Sequence, residues 1–152
     1  MKIALASDHA GFEAKEKLKL FLNGLGYDTT DFGVSSTDSV DYPDYALPVA
    51  QAVSNGKFER GILLCGSGIG MAIVANKVPG VRAAPCHNPF IARTSRSHND
   101  ANVLCLSGWT HTQAEIEEMT QVWLETRFSG GRHIRRLKKI EEIEKLVKVR
   151  KS

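Results

Sequence analysis

Cysteine is scarce in this 152-residue chain: Cys65, Cys86 and Cys105 are the three present, odd in number and far apart. That pattern excludes a disulfide framework and paired zinc ligands, and it points to a reducing cytoplasm. Long apolar runs are missing as well. No stretch approaches the roughly 20 residues of a membrane span. The apolar part of the opening "MKIALASDHAG" is too short for a secretory core, so a cytoplasmic chain without a membrane partner is expected. Neither sign of charge dominates, since the formal net charge is only +3. The basic residues crowd toward the C-terminal end ("RHIRRLKK", "KVRK"), which suits a local anion site and not a nucleic-acid footprint. No His, Asp, Glu or Cys cluster has metal-ligand spacing, so no metal is expected. No repeat, low-complexity tract or linker divides the chain. With 42% apolar and 24% charged residues, residues 1–152 suit one domain with a sizeable core.

What is present is an alternation of strands and helices. "KIALAS" reads as a buried strand, and the helix after "DHAG" carries Ala14, Leu18, Phe21, Leu22 and Leu25 on one face. Gly24 and Gly26 stop it. "YDTTDFG" is polar enough for an edge strand. In "YPDYALPVAQAV", Pro43 suits a first turn, whereas Pro48 is expected to start or bend the helix. "GILLC" and "IGMAIVANK" are the third strand and its helix; "VRAAPC" is the fourth strand. Asn88 caps the following helix, with Pro89 at its first position. "NVLCLSG" is the fifth strand. Thr112 and Glu115 form a capping box for a helix burying Ile116, Met119, Val122 and Trp123. A last helix, about 133–150, repeats Ile134, Leu137, Ile140, Ile143 and Leu146 on one side, and that stripe calls for the chain's own sheet or a second subunit. The pattern predicts a three-layer, Rossmann-like α/β fold with a five-stranded parallel sheet, helices on both faces, and ligands at the carboxyl ends of the strands.

Candidate chemistry is expected on that rim. Asp8 and His9 follow the first strand, and Cys65 follows the third at the mouth of "GSGIG". A sulfur near a helix N-terminus favours the thiolate, which can act as base or nucleophile; alternatively, Cys65 ends a buried strand as an inert residue. Gly66, Ser67, Gly68, Ile69 and Gly70 could aim amides at a phosphate or a developing oxyanion, or form only a tight turn. Met71 fills the place where a dinucleotide fingerprint needs its last glycine, and the later acid is missing. A cysteine-phosphatase loop would place its arginine near the same position, so both readings fail. His98 could shuttle a proton or cap a helix in water. Arg132 and Arg136, one helical turn apart, could grip a phosphate or form a solvated face. Tyr42 could stack on a sugar or fill core. Cys105 reads as core, and His87 and His111 as surface.

Taken in order, "ASDHAGFEAKE", "DYPDYA", "GILLCGSGIGMAIVANK", "ARTSRSHNDANVL" and "GGRHIRR" resemble the type B ribose-5-phosphate isomerase family, which includes the galactose-6-phosphate isomerase subunits. The resemblance runs nearly end to end. It implies interconversion of an aldose phosphate and a ketose phosphate without a cofactor. Cys65 matches the general base that moves a proton between the second and first sugar carbons, and Gly66–Gly70, with Ser67 counted as catalytic, the anion hole for the enediolate. His98 matches the residue assisting ring opening. Asp8 and Asn99 match sugar-binding residues, Tyr42 a residue lining the ring site, and His9, Arg132 and Arg136 the phosphate side. The resemblance also implies a homodimer or homotetramer with sites at a subunit interface, using the last helix. Two positions depart from the pattern: Ser67 replaces a threonine, and Trp109 stands where an arginine is expected, removing one phosphate contact. An isomerase of galactose 6-phosphate or another six-carbon sugar phosphate stays open, as does a non-catalytic sugar-phosphate-binding protein.

Overall fold

The computed structural model describes residues 1–151; Ser152 and the side chains of 149–151, part of the basic tail, lie outside the described residues. Strands β1 (Lys2–Ser7), β2 (Asp28–Asp31), β3 (Arg60–Cys65), β4 (Ala83–Pro85) and β5 (Val103–Ser107) form one parallel sheet in the order β2-β1-β3-β5-β4. The helices are α1 (Phe12–Gly24), α2 (Pro43–Ser54), α3 (Ile69–Ala75), α4 (Pro89–Ser97), α5 (Gln113–Glu125) and α6 (Arg132–Lys151), with a 3-10 turn at His9–Gly11.

The central strands are apolar on both faces because both are covered. Ile3, Leu5, Ile62, Leu64, Leu104 and Leu106 pack with Leu18 and Leu22 of α1, Ala92 of α4, and Ile116 and Trp123 of α5. The alternate residues Ala4, Ala6, Leu63, Val103 and Cys105 face Val49 and Val53 of α2 and Met71 and Ala75 of α3. Each buried Leu or Ile contributes about 1.5–3 kcal/mol. The expected three layers are present, and β2, with three exposed residues, is the expected edge.

Local signals explain most boundaries. Asn88 Oδ1 accepts the Ile91 amide at 2.8 Å, and Thr112 and Glu115 make the full capping box. The helix α2 starts at Pro43, which takes the first turn as expected. Pro48 lies inside it, where its lost amide would have bonded the Asp44 carbonyl. Both residues are exposed, so water can take that carbonyl. Strand β4 shortens to three residues, with Pro85 tolerated because it sits on an edge strand. In α5 Leu124 is buried, while Val122 is only half-buried.

Lys15 is wholly buried yet charged-group paired: Nζ donates to Asp31 Oδ1 at 2.7 Å, Asp31 Oδ2 at 2.8 Å and the Val34 carbonyl at 2.8 Å. Burial alone would raise the Asp31 carboxyl; hydrogen bonds from Lys15, Lys19 and the Gly33 amide outweigh it and hold the group below the ordinary carboxylate range. This clamp fixes the start of the loop that leads to Val40 and Tyr42.

Helix α6 leaves its apolar stripe in water, with Ile143 58% and Leu146 66% exposed. It is tied to the body by the Gly80 amide, which donates to Glu144 Oε1 at 3.0 Å. Among the described residues no helix is long and apolar enough to cross a membrane.

Candidate active site

The chain leaves β1 and β3 toward opposite sides of the sheet, so the carboxyl ends of these neighbours frame a crevice. Asp8 and Cys65 lie side by side there, with the Asp8 amide donating to the Leu64 carbonyl at 3.2 Å. Asp8 Oδ1 accepts the Ala10 and Gly11 amides at 3.0 and 3.2 Å; among the described residues nothing donates to its Oδ2. Gly11 is obligatory because a Cβ would stand 2.6 Å from the Leu64 carbonyl oxygen. The turn thus sits directly on the end of β3. His9 Nδ1 accepts the Val40 amide at 3.1 Å, which puts the proton of the neutral ring on Nε2.

Cys65 is 4% exposed, and its Sγ accepts the Gly68 amide at 3.1 Å. Gly68 reaches this position with φ +80°, in the left-handed region. The Ile69 amide goes to Ser67 Oγ at 3.2 Å, so two of the loop's amides are turned to its own side chains. The Gly66 and Ser67 amides have no acceptor among the described residues. The Gly66 carbonyl is held by Ser107 Oγ at 2.6 Å and by the Trp109 amide at 3.1 Å. Gly70 lies beneath the Tyr42 ring, where a Cβ would come within 2.7 Å of ring carbons. Asp8, His9, Tyr42, Cys65 and Gly66–Gly70 therefore share one rim, as expected.

The remaining candidates do not join them within one chain. His98 and Asn99 end α4 and lead to Asn102, whose carbonyl accepts the Gly61 amide at 2.9 Å. Gly61 is at the amino end of β3, and Cys65 stands four residues further along, about 13 Å of strand. The expectation of a single rim is thus corrected: a parallel sheet sends helix C-termini to the opposite edge from strand C-termini. His98 stacks on His133 at 4.3 Å between ring centroids, and Arg132 and Arg136 stand around the same pair. The loop is fixed by Arg96, which donates to Asp100 Oδ1 at 2.8 Å and the Ala101 carbonyl at 2.7 Å. Arg82 Nε adds contacts to the Asn99 and Asp100 carbonyls at 3.1 and 2.9 Å.

The comparisons agree on what this geometry belongs to. The profile of the ribose/galactose isomerase family matches residues 3–140. The chain belongs to that family. A solved structure of ribose-5-phosphate isomerase B from Clostridium thermocellum is 48% identical, superposes with a TM-score of 0.95, and the match covers 97% of this chain and 99% of that one. Ribose-5-phosphate isomerase B of Escherichia coli K12 is 41% identical over 94% of this chain and 96% of its own length. A 4-deoxy-4-sulfo-D-erythrose isomerase from a Clostridium species is 43% identical, over 85% and 82%. The ribose/galactose isomerase family is thus a family of sugar-phosphate isomerases and related enzymes, with more than one substrate among its members.

Burial pushes Cys86 up to about 11, and Cys105 well above the ordinary thiol value. From sequence, His133 stands after the Gly-Gly turn without a role, and His111 reads as surface. His133, 8% exposed, is held below the ordinary histidine range by loss of solvent and then by His98, Arg132 and Arg136. Its position after Gly-Gly, in line with the arginines, was the available signal. His111 is no surface residue: its side chain is 9% exposed and its Nδ1 lies 3.1 Å from Glu115 Oε2. The spacing of four to Glu115 could have shown that pair.

Proposed function

We propose that the chain interconverts ribose 5-phosphate and ribulose 5-phosphate, with Cys65 as the base. The thiolate takes the hydrogen on the second carbon of the open-chain aldose as a proton, leaving an enediolate. The sulfur then delivers a proton to the first carbon, after the thiol has exchanged part of it with solvent. Meanwhile the hydroxyl proton on the second oxygen passes to the first, relayed by Ser67, whose Oγ already accepts the Ile69 amide and so keeps its own O–H for donation. The Gly66 and Ser67 amides, which lack acceptors among the described residues, are available to the enediolate oxygen. A donor of this kind is worth about 10²–10³ in rate. Asp8 of one copy and Asn99 of a second hold sugar hydroxyls, Tyr42 lines the ring site, and His9 with Arg132 and Arg136 of the second copy takes the phosphate, orienting the reacting carbons from a distance.

His98, which assists ring opening, belongs to a second copy in this reading. The opposite-rim placement supports it, because one sugar cannot reach both ends of a sheet. So does the exposed apolar stripe of α6, which would cover itself against that copy. A homodimer or homotetramer follows, with composite sites.

The observation that carries the reading is the Gly68 amide on Cys65 Sγ, beside two amides with no acceptor among the described residues. The test is turnover of ribose 5-phosphate by the purified protein and by Cys65→Ala. Loss of turnover with retained sugar-phosphate binding supports the base assignment; near-normal turnover refutes it. The sulfo-sugar relative supports a second reading, an isomerase for another anionic aldose. Parallel assays on galactose 6-phosphate and four-carbon aldose phosphates decide between them.

A further inference from the structure

Two aromatic rings flank the Cys65 loop, each seated on a glycine. At one end the Tyr42 ring covers Gly70. At the other, a Cβ on Gly66 would lie 2.5–2.6 Å from Cε2, Cζ2 and Cη2 of Trp109, so the six-membered part of the indole rests on that glycine. The indole is nevertheless 74% exposed, whereas the chain's other tryptophan, Trp123, is wholly buried. Its backbone is fixed: the Trp109 amide donates to the Gly66 carbonyl at 3.1 Å, and the Gly108 amide to the Cys65 carbonyl at 2.8 Å. The turn also presses on the His9–Gly11 segment, since a Cβ at Gly108 would meet the Ala10 carbonyl oxygen at 2.9 Å. A large apolar plate is therefore held open over the first glycine of the Cys65 loop. Burying an indole is among the larger favourable contributions a side chain can make. Here that contribution is left for something outside the chain.

We propose that Trp109 is a substrate-contacting specificity residue: the carbon skeleton of the sugar lies against its exposed indole, opposite Tyr42, so selection at this wall is by apolar contact and shape instead of charge. The inference rests on the proposed isomerase reading and names what recognises the sugar in it. Aromatic side chains with a few placed polar groups are the usual lining of small-molecule sites.

Kinetics of Trp109→Ala, Trp109→Phe and Trp109→Arg test it, on ribose 5-phosphate and on unphosphorylated ribose. Removing the wall should raise KM for both sugars about tenfold or more, with a smaller change in kcat, and phenylalanine should restore most of the loss. Arginine should shift the ratio of kcat/KM toward the phosphorylated sugar by about tenfold, because a guanidinium there gains only the anion. Fluorescence gives a readout apart from turnover. In Cys65→Ala protein, ribose 5-phosphate should shift the indole emission and shield it from acrylamide; with Trp109→Phe added, the change should vanish, since Trp123 is buried. Unchanged KM values and ratio in an active enzyme would overturn the proposal. So would shielding that depends on protein concentration and not on sugar, which would place the indole against a second copy. A wild-type protein that turns over no aldose phosphate, yet shows the sugar-dependent shift, would refute the isomerase reading and leave the contact standing.

Discussion

Mixing two inactive variants tests the composite site. Cys65→Ala removes the base and His98→Asn the imidazole, and each variant alone should fall to background on cyclic ribose 5-phosphate. Gly61 and Cys65 bound about 13 Å of β3, and His98 lies beyond the Gly61 end, so no reacting carbon can lie within the 3–3.5 Å or so of both side chains that catalysis demands. If one copy supplies the sulfur and the other the imidazole, a mixed dimer has one site with both residues intact and one with neither. Equal amounts of the two chains, associating at random, place half the dimers in mixed form. About a quarter of wild-type activity should therefore return, by the symmetry of a two-fold pair. Co-expression of the two chains with different affinity tags isolates the mixed species, which should carry about half the wild-type activity. The assay is continuous detection of ribulose 5-phosphate. No recovery in the isolated mixed dimer would show that Cys65 and His98 of one chain act together, and would refute the two-rim reasoning.

Three further outcomes follow from particular contacts. Gly68→Ala must hold φ near +80° with a Cβ 3.1 Å from the Leu106 carbonyl carbon; we expect a loss of about 1–2 kcal/mol in denaturant unfolding and a fall in kcat of at least about 10²-fold as the amide leaves the sulfur. Lys15→Met should cost about 2–3 kcal/mol, since it strips Asp31 of its buried partner while Lys19 still pairs with it. Asp31 contributes stability above its unfolded value, lost as pH falls through its lowered folded one, so the variant should lose part of its acid sensitivity below about pH 4. His133 has the opposite origin: its folded value lies below 6.5, so the unfolded chain binds the proton first. Thermal stability should fall as pH drops below about 6.5, and His133→Asn should flatten that slope; an unchanged slope would refute the placement of charge around this ring.

Much of the fold was legible because its signals are local or periodic. The capping box at Thr112, the Asn88 cap and the polar edge strand β2 each depend on few residues and appear where the sequence placed them. That Pro48 lies inside α2 and does not start it depends on solvent at the Asp44 carbonyl, a tertiary matter. The Cys65 loop was legible as a glycine-rich strand-to-helix turn; that the Gly68 amide turns inward to the sulfur was not. Placing His98 on the rim of Cys65 failed for a topological reason. A residue ending a helix stands at the amino edge of the next parallel strand, so sequence proximity to β5 did not mean proximity to the crevice. Trp109 and His111 owe their surroundings to the β5–α5 turn folding onto Gly66 and α5, contacts that span more than forty residues or depend on burial.

The most direct test of the account is hydrogen exchange at the sugar itself. Incubated in deuterium oxide, wild-type protein should place deuterium on the carbon beside the carbonyl of ribose 5-phosphate and its ketose, read by proton NMR, and Cys65→Ala should place none. Exchange that persists in Cys65→Ala would contradict a proton carried by this sulfur.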